Sequence, residues 1–136
     1  MSGLQLAHLI LVSLWSGIVL TEAIVETLGH VEEGLAARVH FWIDVIVEMP
    51  TVLAVLITGA ILAARVWPPP PLLVAKLIAG LVAVGVNGYC FVFVILRFRA
   101  RHHPSLALRY GRHVRGAVLG VPFGAAAAYL GLAYFT

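Results

Sequence analysis

Charged residues are scarce in this chain: Asp, Glu, Lys and Arg make up 11% of the 136 residues, whereas 62% are hydrophobic and the mean hydropathy is +1.02. Soluble domains carry about 25% charged residues, so the composition excludes an ordinary soluble domain. Cysteine occurs once, at Cys90, which excludes an internal disulfide and a thiolate-rich metal site. The chain is therefore predicted to be an integral membrane protein with a single domain, residues 1–136.

Four apolar runs are long enough to cross a membrane, which takes about 20 helical residues for about 30 Å of hydrocarbon. They cover about residues 4–29, 39–64, 72–96 and 114–135. Hydrocarbon offers no partner to backbone N–H and C=O groups, so all four are predicted to be helices. The first run has no basic start and contains two glutamates, and we expect it to remain in the mature protein. The predicted fold class is an all-α membrane protein with four transmembrane helices in an antiparallel bundle.

Arginine is concentrated in the connection between the third and fourth runs. The six residues there are Arg97, Arg99, Arg101, Arg109, Arg112 and Arg115, whereas the other two connections hold only Arg38 and Arg65. The positive-inside rule then places this connection and the one between the first two runs in the cytoplasm, with both termini outside, in a bacterial inner membrane. Beside a membrane, a basic segment favours anionic lipid as a partner and disfavours nucleic acid.

Polar residues recur at every fourth position near the connection between the first two runs. The six residues are Glu22, Glu26, His30, His40, Asp44 and Glu48. With about 3.6 residues per helical turn, a step of four drifts by only about 40°, so each triplet forms one stripe. A turn near Gly34 and Leu35 would pair residue 30 with 40, 26 with 44 and 22 with 48. All six side chains are then predicted to converge.

Four carboxylates and two imidazoles can bind two divalent cations, whose four positive charges balance the four negative ones. Oxygen-rich ligation with imidazole favours iron or manganese, with zinc as a third candidate. An uncompensated charge at the centre of a membrane helix costs about 2.5 to 3.5 kcal/mol. The alternative compensation is that the carboxyls are protonated or paired with arginine. Glu33 and His113 are candidates for further ligands.

This ligand set is similar to that of the carboxylate-bridged di-iron and di-manganese proteins of the ferritin-like group. Those proteins draw ligands from four helices and place Glu and His three residues apart, whereas here two helices supply ligands at a step of four. The resemblance is one of ligand chemistry. A di-metal centre open to lipid fits an oxidoreductase that uses dioxygen or peroxide on a lipophilic substrate such as a quinone or a lipid; two-metal hydrolysis is the other catalytic option.

His8 and the Trp15, Ser16, Gly17 sequence that follows it resemble the first helix of the CopD-like copper-resistance membrane proteins and of the HemJ-type protoporphyrinogen oxidases. The resemblance covers about ten residues. It implies that His8 is a haem or copper ligand, while the residues alone favour a histidine at the membrane interface. A haem or copper redox protein is therefore one alternative function. A proton or ion transporter that uses the buried carboxylates is another, and a purely structural subunit is a third.

Two further features bear on packing. Pro50 follows Glu48 by two residues and is expected to bend the second helix and widen the bundle. In the fourth run, Gly116, Gly120 and Gly124 fall at a step of four. Such a stripe admits a closely packed helix, either from the same chain or from a partner in a homodimer.

Overall fold

The computed structural model describes residues 2–28 and 32–134, and nearly all of them are helical. The α-helices are α1 (Gly3–Leu28), α2 (Glu33–Ile43), α3 (Met49–Ala64), α4 (Pro71–Arg99), α5 (Pro104–Gly116) and α6 (Val121–Tyr134). A π turn, Asp44–Glu48, joins α2 to α3, and a 3-10 turn, Ala117–Gly120, joins α5 to α6. The chain thus forms four continuous helical segments, each long and apolar enough to cross a membrane, as the composition predicts. We refer to them as the first to fourth spans.

Three of these segments extend beyond the apolar runs. The second begins at Glu33 and the fourth at Pro104, six and ten residues before the predicted starts at 39 and 114, and α4 continues to Arg99. An acidic residue in the first helical turn and a proline at the first helical position are both favourable helix starts. Hydropathy detects only the part of a helix that is apolar, so the predicted runs did not include the charged ends of these helices.

The π turn lies directly before Pro50. Its hydrogen bonds include one from the Met49 N–H to the Asp44 carbonyl, which spans five residues instead of four. A proline inside an α-helix has no N–H to donate and clashes with the carbonyl four residues earlier, here that of Ile46. The wider turn accommodates Pro50 without ending the helix, and π turns of this kind are frequent at functional sites.

The fourth span packs closely on α4 because glycines remove side chains from the contact. A Cβ built on Gly120 would lie 2.6 Å from Val86 Cγ1, and one on Gly124 would lie 3.8 Å from the Ala83 Cβ. Two of the three glycines in the predicted stripe therefore serve packing within the chain. The third, Gly116, has nothing within 4 Å of an added Cβ.

An apolar cluster joins the first three spans. It consists of Trp15, Val52, Val55 and Ala83, with Leu11 and Val12 of α1 among the residues packed against it. Along the second span, the two valines lie between Glu48 and Thr58. The cluster therefore separates the polar half of the first two spans from their far ends.

Candidate metal centre

The second span buries its polar stripe almost completely. The exposed fractions are 6% for His40, 1% for Asp44 and 2% for Glu48. In an α-helix a step of four residues overshoots one turn by about 40°, whereas the π turn takes more residues per revolution. The π turn between Asp44 and Glu48 offsets the drift, so all three side chains stay on the buried face.

Two of the predicted residues of α1 meet this stripe. The side chains of Glu22 and Glu26 are 13% and 7% exposed, and both lie against His40. His30, the third predicted residue of the first run, lies outside the described residues. Five of the six predicted ligands are thus placed by the structure, and all five lie in one buried polar cluster.

The pairing between the spans differs from the predicted one by one helical turn. Glu26 contacts His40 instead of Asp44, and Glu22 lies beside Asp44 instead of Glu48. The reason is the position of the connection. Gly34, predicted to lie at the turn, is inside the first turn of α2, and the observed pairs place the centre of the hairpin about two residues earlier than predicted.

The group most similar to a metal site consists of Glu22, His40 and Asp44, which we call the triad. His40 Nε2 lies 3.6 Å from Glu22 Oε2 and 3.5 Å from Asp44 Oδ1, and one ligand atom from each residue lies within 4.8 Å of the other two. Ligands bound to one ion at about 2.0 to 2.2 Å in tetrahedral geometry are about 3.3 to 3.6 Å apart. The two measured separations therefore match those of ligands that share a cation.

The orientation of His40 also suits a ligand. Its Nδ1 lies 2.8 Å from Glu26 Oε1. A carboxylate can only accept a hydrogen bond, so Nδ1 donates and the neutral imidazole keeps the lone pair of Nε2 for the triad. Metal-binding histidines commonly donate their other N–H to a carboxylate in this way.

Carboxyl groups adjoin one another around Asp44. The Asp44 carboxyl interacts with those of both Glu22 and Glu48. Glu22 Oε1 and Asp44 Oδ1 are nonetheless buried without a hydrogen-bond partner among the described residues. Glu48 is better satisfied, because its Oε1 accepts from Trp15 Nε1 at 3.2 Å and from Asn87 Nδ2. Asn87 Oδ1 is a third buried oxygen without a partner among the described residues, so two of the three lie on Glu22 and Asp44.

Arg97 completes the cluster. Its place in the cluster was not predicted from the sequence. Its side chain is 1% exposed, with Nε 2.6 Å from Glu33 Oε1 and a terminal nitrogen 2.6 Å from Glu26 Oε1. Gly111 of α5 makes room for this pairing, since an added Cβ would lie 3.3 Å from both Arg97 Nε and Glu33 Oε1. Glu26 Oε1 therefore accepts from both Arg97 and His40. Glu33, a candidate for a further ligand, pairs with Arg97 in the structure.

The sequence did contain a signal for Arg97. It follows Ala83, Asn87, Cys90 and Val94 at steps of four, three, four and three residues, the spacing of one helix face. Three of these five residues, Ala83, Val94 and Arg97, are buried. Counting Arg97 with the basic connection obscured its position on that face.

A groove leads from the outer surface of the bundle to Glu22. It encloses about 440 Å³ between α1 and α2, and its lining includes Leu14, Gly17, Ile18 and Ile43. Ser13 and Thr21 add two hydroxyl groups to the lining, and that of Thr21 bonds back to the Gly17 carbonyl. The groove is thus largely apolar, with one carboxyl of the triad in its wall.

The remaining histidines of interest lie elsewhere. His8 Nδ1 is 2.8 Å from the Thr58 hydroxyl, and the His8 ring packs against Gly59. His113 Nδ1 is 2.8 Å from the Tyr89 hydroxyl. Among the residues that the structure describes, neither belongs to the group able to hold a metal ion.

Comparison with protein-family models, curated proteins and solved structures finds no match for this chain. The site is therefore interpreted from its own residues.

Proposed function

We propose that this protein is an integral membrane metalloprotein whose first transition-metal ion is held by Glu22, His40 and Asp44. The observation that carries the proposal is the triad itself: two carboxylates and an imidazole with the separations of shared ligands, buried and with unsatisfied oxygens. The mixture of oxygen and nitrogen donors favours iron or manganese, with zinc as a third candidate.

The charge of the cluster supports a cation. Asp44 interacts with both Glu22 and Glu48, and in the described part of the chain His40 is the one basic side chain paired with Glu22 and Asp44. At about 2.5 to 3.5 kcal/mol for each charge, three ionised groups would cost roughly 8 to 10 kcal/mol. A typical domain is stable by about 5 to 15 kcal/mol in total, so the charges must be compensated.

The number of charges in the cluster supports a second ion beside the first. Five acidic residues contribute to the cluster: Glu22, Glu26, Glu33, Asp44 and Glu48. Arg97 offsets one of their charges through its two ion pairs, which leaves four negative charges with His40 neutral. Two divalent cations supply four positive charges. Asp44 and Glu48, whose carboxyls interact, are the residues that would hold the second ion.

The packing favours this function over a transmembrane proton or ion relay. Beyond Glu48 the interface of the first two spans is filled by Trp15, Val52 and Val55. The next polar pair along the interface, His8 with Thr58, lies beyond this cluster. A relay would have to carry charge through an apolar layer, whereas a metal centre needs access from one side only.

The groove suggests the substrate class. A lipophilic molecule in the membrane can reach Glu22 laterally, along the walls formed by Leu14, Ile18 and Ile43. We propose a quinol as the substrate: two quinols supply the four electrons and four protons that reduce one dioxygen to two waters. The bound metal would supply the redox chemistry. Glu22 is placed to accept a hydrogen bond from a quinol hydroxyl, and the apolar walls exclude bulk water.

Filling the groove tests this function. An added Cβ at Gly17 meets nothing within 4 Å, and the same is true at Gly85 on α4. Gly17→Leu should therefore obstruct the groove without disturbing packing, and Gly85→Leu is the matched control. With decylubiquinol as the electron donor, dioxygen uptake should fall at least tenfold in Gly17→Leu and stay near wild type in Gly85→Leu, while metal content stays unchanged in both. Equal uptake in the two variants, or no uptake by metal-loaded wild type, would contradict the proposal.

A further inference from the structure

A second cavity lies between α4 and the fourth span, away from the metal centre. It encloses about 380 Å³, and Tyr89 and His113 are in its lining. Tyr89 is two residues from Asn87, which contacts Glu48. Two residues correspond to about 200° around a helix, so the cavity opens on the opposite face of α4.

One end of this cavity is basic. His113 stacks on Phe93 with ring centroids 4.2 Å apart and planes 10° apart, and its Nδ1 is bonded to the Tyr89 hydroxyl at 2.8 Å. When the Tyr89 hydroxyl donates to Nδ1, the neutral His113 ring carries its proton on Nε2, which can then donate to an anion. Arg112 lies beside it in the lining, and the lining contains no acidic residue. This end is suited to an anion.

The other end is apolar. Val86 and Leu119 line it, and Gly116 leaves space because an added Cβ there meets nothing within 4 Å. Leu119 is 77% exposed, and in a membrane this surface faces hydrocarbon. Next to this end, Gly120 packs directly against Val86. An acyl chain could lie against Leu119 and Val86 without displacing a side chain.

The cavity also lies at the depth of lipid head groups. Basic residues continue along the fourth span to Arg115, and from Gly116 to the end of the described chain no charged residue follows. The boundary between the charged and apolar parts of a membrane helix marks the interface between head groups and hydrocarbon. Arg112 and His113 are therefore at phosphate level, and Leu119 is at acyl-chain level.

We propose that this cavity binds one anionic glycerophospholipid, with its phosphate between the Arg112 guanidinium and His113 Nε2 and an acyl chain along Leu119 and Val86. Guanidinium groups bind phosphate through charge-assisted, often bidentate hydrogen bonds. Tyr89 and Phe93 act by fixing the His113 ring. The proposal differs from general attraction of a basic surface to the membrane, because it assigns distinct roles to neighbouring arginines.

The test is native mass spectrometry of the full-length, delipidated protein, titrated with dioleoylphosphatidylglycerol or dioleoylphosphatidylcholine. Wild type should retain one phosphatidylglycerol in preference to phosphatidylcholine. Arg112→Gln should weaken phosphatidylglycerol binding by roughly five- to tenfold. Arg109→Gln removes the same charge three residues away, from a residue outside the lining, and should change binding by less than about twofold.

Gly116→Leu provides a second, charge-neutral variant, because it fills the cavity and keeps every arginine. It should also weaken phosphatidylglycerol binding, with metal content as in wild type, so that the result is independent of the proposed metal centre. If Arg112→Gln and Arg109→Gln weakened phosphatidylglycerol binding equally, the proposal would be overturned, and the lipid would be held only by diffuse attraction to the basic surface. It would also be overturned if inorganic phosphate bound as well as the lipid, or if decylubiquinone bound instead and was insensitive to Arg112→Gln.

Discussion

Asp44→Asn distinguishes a metal centre from a cluster of protonated carboxyls. The substitution keeps the size of the side chain and removes one charge and one ligand oxygen at a site that is 1% exposed. If the cluster holds protons, Asn replaces a neutral acid by a neutral amide. If it holds metal, the triad loses a ligand that lies 3.5 Å from His40 Nε2, and affinity falls because binding and folding share the same free energy.

The size of the effect follows from ligand linkage. An ion present at 100 times its dissociation constant stabilises the protein by about 2.7 kcal/mol. For a chain of this length, 1 kcal/mol corresponds to roughly 3 to 5 °C in melting temperature, so removing metal from wild type should lower it by about 10 °C. Asp44→Asn should melt at the same temperature with and without chelator. Freed of one buried charge, it should then be more stable than chelated wild type by up to about 3 kcal/mol.

The assay is thermal unfolding in detergent, followed by tryptophan fluorescence before and after chelation, with metal content measured on the same samples. Glu32→Gln is the matched control, since it removes one acidic charge from an exposed residue just before α2. It should keep the response of wild type. If neither wild type nor Asp44→Asn responded to chelator and the two melted at about the same temperature, the cluster would hold protons and the metal assignment would be refuted.

Three further predictions follow from other contacts. Arg97→Gln removes the ion-pair partner of Glu33 and one of the two partners of Glu26, and should destabilise the protein by about 3 to 5 kcal/mol, measured by thermal unfolding. Arg97→Lys should restore little of this stability because the fork geometry is lost, and full recovery would contradict that geometry. Gly120→Ala should cost about 1 to 3 kcal/mol by clashing with Val86, whereas a neutral result would show that α4 and the fourth span pack less closely. His8→Ala should leave metal content unchanged, since His8 lies outside the triad; loss of a coloured cofactor in this variant would favour the haem or copper alternative.

Periodicity was sufficient to predict which faces of the first two spans are polar. A step of four residues keeps side chains on one face whatever the position of the connection, and the five described members of the predicted set do lie together. Their pairing was not predictable in the same way, because it depends on where α2 begins. Glu33 starts that helix, and moving the centre of a hairpin by two residues changes every cross-helix partner by four residues, about one turn.

Local chemistry explains the other differences. Pro50 was expected to bend the second span, and the structure adjusts by a π turn that keeps Asp44 and Glu48 on the same face. Arg97 was assigned to the connection because the third apolar run ends at residue 96. Only the three-dimensional packing, with Gly111 against its guanidinium, shows that α5 covers it.

The central claim is most directly tested by elemental analysis of wild-type protein purified without chelators. Neutralising the four excess negative charges of the cluster requires about two divalent ions per chain, so the measurement should find about two equivalents of iron, manganese or zinc. A total metal content below about half an equivalent per chain, in folded protein that has never been exposed to a chelator, would contradict the metal centre.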